Sequence, residues 1–356
     1  MQRFSDNLLN NMRLQSDPIA DNAIKDLFES KTPAKFKDIF NPYWRNCEPV
    51  PNTLSKSLLN FFDEIGCLPI WAEPKKMRKA ISLFTEYSGD IMGLLGSLSL
   101  PYCYAAADGA KVLYFSERIK KDTSKRLAET GQFVLDVLSP KAFEPEGKAI
   151  RSIQKVRLIH AAIRYHILKS EKWKMEWGLP INQEDMAGTN LSFSFIILRG
   201  LRKSGRIISP ADAEAFQHMW NVIGFMLGLD EKLIPQDLKS AYKLTEVIEK
   251  RHMKPSEEGK LLTKALLESY KDLPVKLPDG YLTSYMRYLM GNDLADIIDL
   301  PPTNWTGNLV KLQKLGNTLG QYMNIVLNKQ AGKKFDMDAL EKQQPQFTFP
   351  EKLGFD

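Results

Sequence analysis

The chain has 356 residues, of which 43% are hydrophobic and 26% are charged, and its formal net charge is +6. This length is enough to bury a sizeable core in one large or two smaller domains. The basic residues form neither a long block of like charges nor a stripe interleaved with aromatics, so we expect no nucleic-acid partner. The densest basic run, Lys120–Lys125, is typical of a solvated helix start.

Cysteine usage and hydropathy indicate the compartment. The three cysteines, Cys47, Cys67 and Cys103, form no Cys-x-x-Cys spacing, so neither a disulfide framework nor a zinc site is predicted and a reducing cytoplasm is favoured. The N-terminal segment lacks the features of a secretory signal. Apolar runs such as Ile91–Leu100 contain glycines and are shorter than the ~18 residues that span a bilayer. We therefore expect no membrane span, while peripheral association stays open.

The spacing of apolar residues predicts the fold class. They recur three and four positions apart through most of the chain, and alternating strand-like runs are nearly absent, which predicts an all-α protein. Residues 1–70 contain several prolines between short helical pieces and are predicted to form an irregular N-terminal arm. Residues 71–250 are predicted to form the helical core, and residues 251–356 a helical extension whose polar tail begins near Gly332.

The first core helix is predicted from Lys75 through Phe84 and into the run Ile91–Leu100, which Pro101 interrupts. Later boundaries follow from prolines, glycines and capping residues, as where Ser209 precedes Pro210. Further helices are predicted at 123–138, 147–168, 182–202, 209–227, 236–250, 256–270, 281–290 and 308–327.

A histidine-dependent site must use one of four histidines, at positions 160, 166, 218 and 252. In the segment KVRLIHAAIRYHI, His160 shares the apolar stripe of a helix with Ile159 and Ile163. Such a histidine is more often a core residue than a ligand. Two neighbouring features favour a ligand: small alanines flank it, and Arg164 lies one turn later, where it can pair with a carboxylate.

A second helix carries a polar pair on an apolar face. Arg126 and Thr130 are four residues apart and continue toward Phe133 and Val137, so both are predicted to face the interior. An inward arginine needs a partner, since an unpaired buried charge is costly. Periodicity alone favours a structural role, with a salt bridge for the arginine and a threonine bonded back to its own helix.

These segments are similar to a known family. The runs RLAET, KVRLIHAAIRYHI, GLPINQEDMAGTNLSFS and EAFQHMWNVIGFMLGL resemble the oxygenase family that contains the latex clearing proteins (rubber oxygenases) and the MpaB-type enzymes. The resemblance covers roughly residues 70–250. Its most specific element is Arg-Leu-x-His-Ala-x-x-Arg, at Arg157–Arg164, and the Pro-Ile-Asn-Gln-Glu-Asp run at 180–185 is a secondary match.

The resemblance implies a globin-like, all-helical core around a b-type haem. It implies that His160 is the single proximal ligand of the iron and that Arg126 and Thr130 lie on the distal side. With a haem present, the position of Arg164 one turn after His160 gives it a propionate as an alternative partner to a carboxylate. Members of the family cleave carbon–carbon double bonds of isoprenoid chains with O₂. The implied substrate is therefore an apolar, isoprenoid-like or unsaturated molecule.

One position departs from the family. Rubber-cleaving members have a lysine before the distal threonine, whereas this chain has Glu129. This carboxylate either accepts a proton or points to solvent. Asp108 is a second candidate base, or the first residue of a turn at Gly109.

Several alternatives remain at this point. A haem peroxidase or monooxygenase would use the same ligand, and a haem-free helical binding protein would keep the same scaffold. The run 91–99 and the aromatic residues Phe193, Phe195 and Phe225 are candidate walls of a haem pocket or ordinary core.

Overall fold

The computed structural model describes residues 4–30, 45–52, 54–116, 123–272, 277–314 and 317. In these residues all regular elements are helical, and a single isolated bridge joins Ala106 to Met253. The prediction of an all-α fold is confirmed. The tail from Gly332, and residues 120–122 of the basic run Lys120–Lys125, lie outside the described residues.

Helices in the first part of the chain begin where capping residues satisfy free backbone N–H groups. Ser5, Asp17 and Ser55 accept hydrogen bonds from the first turns of the helices that follow them. The helices are α1 (Asp6–Met12), α2 (Pro18–Glu29), α3 (Lys56–Glu64), α4 (Pro74–Leu94), α5 (Leu100–Ala105), α6 (Ala107–Phe115) and α7 (Thr123–Leu138).

The second part repeats this pattern, with Asn182, Ser209, Asp237 and Ser256 as caps. The helices are α8 (Ala149–Lys169), α9 (Gln183–Phe193), α10 (Phe195–Lys203), α11 (Pro210–Met226), α12 (Leu238–His252), α13 (Glu257–Ser269), α14 (Tyr281–Met290) and α15 (Asn292–Ile297). Residues 306–314 are also helical and form the described part of the helix predicted at 308–327.

The single helix predicted at 182–202 is in fact two. Ser194 leaves the helical region (φ −109°, ψ −87°) and separates α9 from α10. Its hydroxyl donates to the carbonyl of Asn190 at 2.9 Å. A serine that bonds back to the preceding turn competes with the helical hydrogen bonds, which accounts for the break.

The interruption predicted at Pro101 is wrong. A π-helical turn, Leu95–Ser99, connects α4 to α5 without leaving helical geometry. Pro101 lies in the first turn of α5, where a missing N–H group is tolerated. The chain changes direction later, at Ala106, whose backbone is extended (φ −79°, ψ 96°).

The principal core lies between α4 and α11, which pack along each other and bury large side chains such as Phe84, Phe216 and Trp220. A second core joins α2 and α3 to α8, with Phe61 fully buried. A third joins α1 to α9 and α12, around Leu9. The N-terminal helices therefore share buried surface with the helices that carry the candidate site residues.

Two observations concern membrane spans and the cysteines. None of the helices in the described part of the chain combines the length and the apolar character that a bilayer crossing requires. The cysteines Cys47, Cys67 and Cys103 are unbridged. The cytoplasmic setting and the three-part division of the chain stay predictions.

Candidate functional site

A cavity of about 310 Å³ lies among helices α5 to α9, α11 and α12. Pockets that hold small molecules or cofactors occupy roughly 300–1,000 Å³, so this volume suits such a ligand. Most of the wall is apolar. Its hydrophobic residues include Leu113, Phe133, Val156, Ile163, Met186 and Phe193.

His160 projects from α8 into the wall of this cavity. Its Nδ1 atom is buried and has no hydrogen-bond partner among the described residues. Protein atoms surround the imidazole. The residue as a whole is half-buried, because it borders the cavity. Burial, and next the charge of Arg164, lower the pKa of His160 to about 4. The ring is therefore neutral at pH 7, the form that ligates metals.

The polar residues predicted on α7 lie in the same wall. Arg126, Glu129 and Thr130 all border the cavity, and Glu129 is only 6% exposed. The hydroxyl of Thr130 donates to the backbone carbonyl of Arg126 at 3.0 Å. This is the bond to its own helix that the sequence analysis predicts for a threonine in a structural role. The charge of Arg126 contributes to the lowered pKa of His160. The structure thus brings these three residues and His160 to one cavity.

Arg164 does not border the cavity. Its Nε atom donates to Asp21 on α2 at 2.7 Å, and its Nη1 atom donates to the carbonyl of Ile181 at 3.2 Å. The candidate partners of Arg164 are a carboxylate and a haem propionate. The structure shows a carboxylate, that of Asp21. Arg164 therefore links the helix of His160 to the N-terminal helices.

Asp108 is also held by cations outside the cavity wall. Its carboxylate lies 3.2 Å from Nζ of Lys111 and 3.5 Å from Nη2 of Arg13. The neighbouring Gly109 borders the cavity, whereas Asp108 does not. It lies within the first turn of α6 rather than at a turn, which corrects the turn interpretation.

One of the candidate wall residues borders the cavity. Phe193 borders the cavity. The ring of Phe195 packs against Tyr242, with centroids 6.2 Å apart, and Phe225 packs against Trp71 at 5.7 Å. The run 91–99 belongs to α4 and the π-helical turn and contributes to the principal core.

Sequence reasoning missed a group of charged residues at the cavity. His252, the last residue of α12, borders it, and its Nε2 atom lies 3.0 Å from Oε1 of Glu184. Burial raises the pKa of Glu184, but hydrogen bonds from His252 and Arg251 outweigh it and leave the pKa below its usual value. Arg13 donates to the neighbouring Asp185 at 3.0 Å.

Part of this group has a signal in the sequence. Glu184 and Asp185 lie in the Pro-Ile-Asn-Gln-Glu-Asp run that carries the family resemblance. His252 and Arg13 have no local signal, because their neighbours come from distant parts of the chain.

The two other histidines lie elsewhere. His166 packs against Phe28, with ring centroids 5.1 Å apart. Nε2 of His218 accepts a hydrogen bond from the N–H group of Glu73 at 2.9 Å. Neither residue borders the cavity, so the cavity-facing histidines of the described chain are His160 and His252.

Comparison with known proteins identifies the family of this chain. Residues 86–319 match the model described as the catalytic domain of ER-bound oxygenase mpaB/B′ and rubber oxygenase. The chain belongs to this family. The match includes His160 and the polar residues of α7, and it extends beyond the segment on which the sequence resemblance rests.

Two relatives show how far the similarity reaches. A rubber oxygenase from Streptomyces sp. (strain K30) is 27% identical over 266 residues, which are 74% of this chain and 65% of that protein. The solved structure of latex clearing protein LCP in the closed state is 23% identical with a TM-score of 0.75, covering 93% of this chain and 90% of that one. The overall fold of latex clearing protein is therefore shared.

Proposed function

We propose that this chain is a haem b-dependent oxygenase that cleaves or oxidises carbon–carbon double bonds of an apolar, isoprenoid-like or unsaturated substrate with O₂. The neutral imidazole of His160 in the cavity wall carries the proposal, because it shares that wall with Arg126, Glu129 and Thr130. Membership of the oxygenase family and similarity to a rubber oxygenase support the reaction and the substrate class.

The residues present fit a haem. A proximal imidazole is one of the common ligands of haem iron, and an apolar pocket leaves room for O₂. In the described part of the chain no three His, Cys, Asp or Glu side chains converge as ligands of a metal ion, whereas His160 supplies a single unpartnered imidazole. His160 would hold the iron, and Arg126 offers a cation at the cavity for a propionate or for the distal side. The haem, when bound, supplies the redox chemistry that activates O₂.

The remaining work belongs to the side chains of the cavity. The apolar wall binds the hydrocarbon part of the substrate and excludes water. The hydroxyl of Thr130 donates to its own helix, so its oxygen keeps a lone pair that accepts a hydrogen bond from a ligand. Glu129 takes the role of proton acceptor, since it borders the cavity whereas Asp108 does not. Arg164 positions α8 through its ion pair with Asp21.

The test begins with the absorption spectrum of the purified protein, in which a Soret band is expected. His160→Ala should abolish stoichiometric haem binding, because it removes the ligand, while His166→Ala and His218→Ala should retain it. Wild-type haem occupancy in His160→Ala contradicts the proposal.

The reaction is tested with ¹⁸O₂ and unsaturated isoprenoids. Mass spectrometry should detect carbonyl fragments that carry the label. Turnover that requires hydrogen peroxide instead of O₂ would indicate a peroxidase, and a protein without haem would indicate a binding protein on the same scaffold.

A further inference from the structure

The turn that precedes α4 carries apolar side chains where polar ones are usual. Ile70 and Trp71 occupy its two central positions, and the N–H group of Ala72 donates to the carbonyl of Pro69 at 2.9 Å to close it. Central turn positions favour Gly, Pro, Asn, Asp and Ser. Ile70 is fully exposed and Trp71 is 36% exposed. Ile70 breaks the local rule and gains no burial in return, which indicates a function at this surface.

Contacts with α11 hold this turn in place. The ring of Trp71 lies edge-on to the rings of Phe225 and His218, with centroids 5.7 and 5.9 Å away. Nε2 of His218 also accepts a hydrogen bond from the N–H group of Glu73 at 2.9 Å. One side of Trp71 is therefore packed on the protein, while Ile70 lies at the tip of a fixed apolar projection.

The first two turns of α4 add positive charge next to the turn. Lys76 and Lys79 form ion pairs with carboxylates of the neighbouring surface, at 2.6 and 3.2 Å. Lys75 and Arg78 are exposed, lie one helical turn apart, and form no ion pair with any described residue. Like charges at this spacing repel, and cations are disfavoured at a helix N-terminus. An anionic surface opposite these two side chains would remove both penalties.

A carboxylate next to Trp71 does not change this balance. Glu231 accepts a hydrogen bond from Nε1 of Trp71 at 3.4 Å. Lys232 follows it in the chain, so this segment adds no net charge to the surface. The uncompensated charge beside the exposed apolar turn is therefore positive.

The chemistry of this surface selects among possible partners. A second copy of the chain in a two-fold contact would bring the same cations together. Two apolar side chains are also too few for a standard protein interface, which buries roughly 800 Å² per partner. A tryptophan beside an exposed aliphatic residue and unpaired cations is typical of segments that lie at the boundary of an anionic bilayer.

We propose that the Pro69–Ala72 turn and the outward cations of α4 form a docking surface for an anionic lipid bilayer. Ile70 and the exposed edge of Trp71 enter the headgroup region, and Lys75 and Arg78 pair with anionic headgroups. The contact is peripheral and reversible, since a single apolar turn with two cations binds weakly. It is independent of the proposed function, because none of these residues borders the cavity.

The experiment measures co-sedimentation of the full chain with sucrose-loaded vesicles. One set of vesicles contains phosphatidylcholine alone, and the other contains phosphatidylserine as its minor component. We expect the wild-type protein to partition at least about 10-fold more strongly onto the anionic vesicles at low salt, because each cation near a charged surface contributes to binding. The preference should decrease as ionic strength rises and screens the exposed cations.

Two variants test the two parts of the surface. Ile70→Asn places a turn-forming residue at the tip and should lower partitioning onto anionic vesicles by at least about 5-fold, because the apolar contact is lost. Lys75→Gln combined with Arg78→Gln should remove most of the preference for anionic over neutral vesicles. All three positions are exposed, so the variants are expected to fold, which circular dichroism verifies.

Matched controls change the same kinds of side chain elsewhere. Leu14→Asn replaces another exposed apolar residue, and Lys250→Gln combined with Lys264→Gln removes two exposed cations from α12 and α13. Both controls should bind vesicles like the wild-type protein.

The inference is overturned if the wild-type protein binds neither kind of vesicle or binds both equally. It is also overturned if each variant binds as its control does, because binding then depends on overall charge and hydrophobicity instead of this surface. The assay involves neither haem nor turnover, so its result is separate from the outcome of the tests of the proposed function.

Discussion

At the scale of single residues, the environment of His160 makes its charge state depend on folding. Burial lowers the pKa of this imidazole to about 4, against 6.5 for an exposed histidine. Between these two values the unfolded chain binds a proton that the folded protein does not. The stability contributed by the neutral ring is therefore complete above pH 6.5 and is lost as the pH falls toward 4.

We expect the free energy of unfolding of the cofactor-free protein to decrease between pH 6.5 and pH 4 with a component of up to about 1.4 kcal/mol per pH unit from His160. Urea denaturation at several pH values measures this component, as the difference in the free energy of unfolding between the wild-type protein and His160→Gln. Parallel pH profiles for the two proteins would show that the imidazole is not desolvated.

The polar residues of α7 provide a second test. Arg126→Ala and Thr130→Ala should each lower turnover by at least about 10-fold and leave most of the haem bound, because His160 is retained. Thr85→Ala is a matched control, since Thr85 makes the same bond to its own helix at 2.9 Å on α4, outside the cavity. If Thr130→Ala and Thr85→Ala have equal turnover, Thr130 is only structural.

Periodicity identified the residues of the site that lie on regular helical faces. His160 shares a stripe with apolar neighbours, and Arg126 and Thr130 share a face of α7, so their place at the cavity could be predicted from spacing. The partner of Arg164 could not. Asp21 is 143 residues away, and no local pattern encodes a contact over that distance.

At the scale of helices, local signals located most boundaries and missed those that depend on side-chain hydrogen bonds. The helix predicted at 123–138 is found at Thr123–Leu138. The break at Ser194 was missed because a serine is tolerated within a helix unless its hydroxyl bonds to the previous turn, which spacing does not reveal.

Close packing of α13 against α5 gives an element-scale prediction. A Cβ atom at Gly259 would collide with the backbone carbonyl of Tyr104, which cannot move aside as a side chain can. Gly259→Ala should lower the free energy of unfolding by about 1–3 kcal/mol. Chemical denaturation measures the change.

Gly93→Ala is the control for this experiment, because a Cβ atom at Gly93 would meet no atom within 4 Å and the residue lies in helix α4. This substitution should stabilise the protein by about 0.5–1 kcal/mol, since alanine has the higher helix propensity. Equal effects of both changes would show that the contact between α13 and α5 is loose.

At the scale of the whole molecule, buried ion pairs connect the N-terminal helices to α8. Arg157 donates to both carboxylate oxygens of Asp17, and the side chains are 9% and 3% exposed. Asp17→Ala should lower the free energy of unfolding by about 3–5 kcal/mol, because it leaves a buried charge without its partner.

The control is Glu268→Ala, which removes an exposed ion pair with Lys271 and should cost less than about 1 kcal/mol. Thermal or urea denaturation of the three proteins compares the two losses. If Asp17→Ala lowers the free energy of unfolding no more than Glu268→Ala does, residues 1–30 form an arm that contributes little to the stability of the protein.

The contact between Arg13, Asp185 and His252 limits when the cavity can be completed during synthesis. The cavity is lined by residues from 100 to 253, and the charged group at its edge includes a residue from the first turns of the chain. Contacts over such sequence separations form late, after most of the chain is available. A nascent chain that has not yet extended past α12 lacks part of the cavity wall, so we expect a ligand to bind only after α12 has left the ribosome.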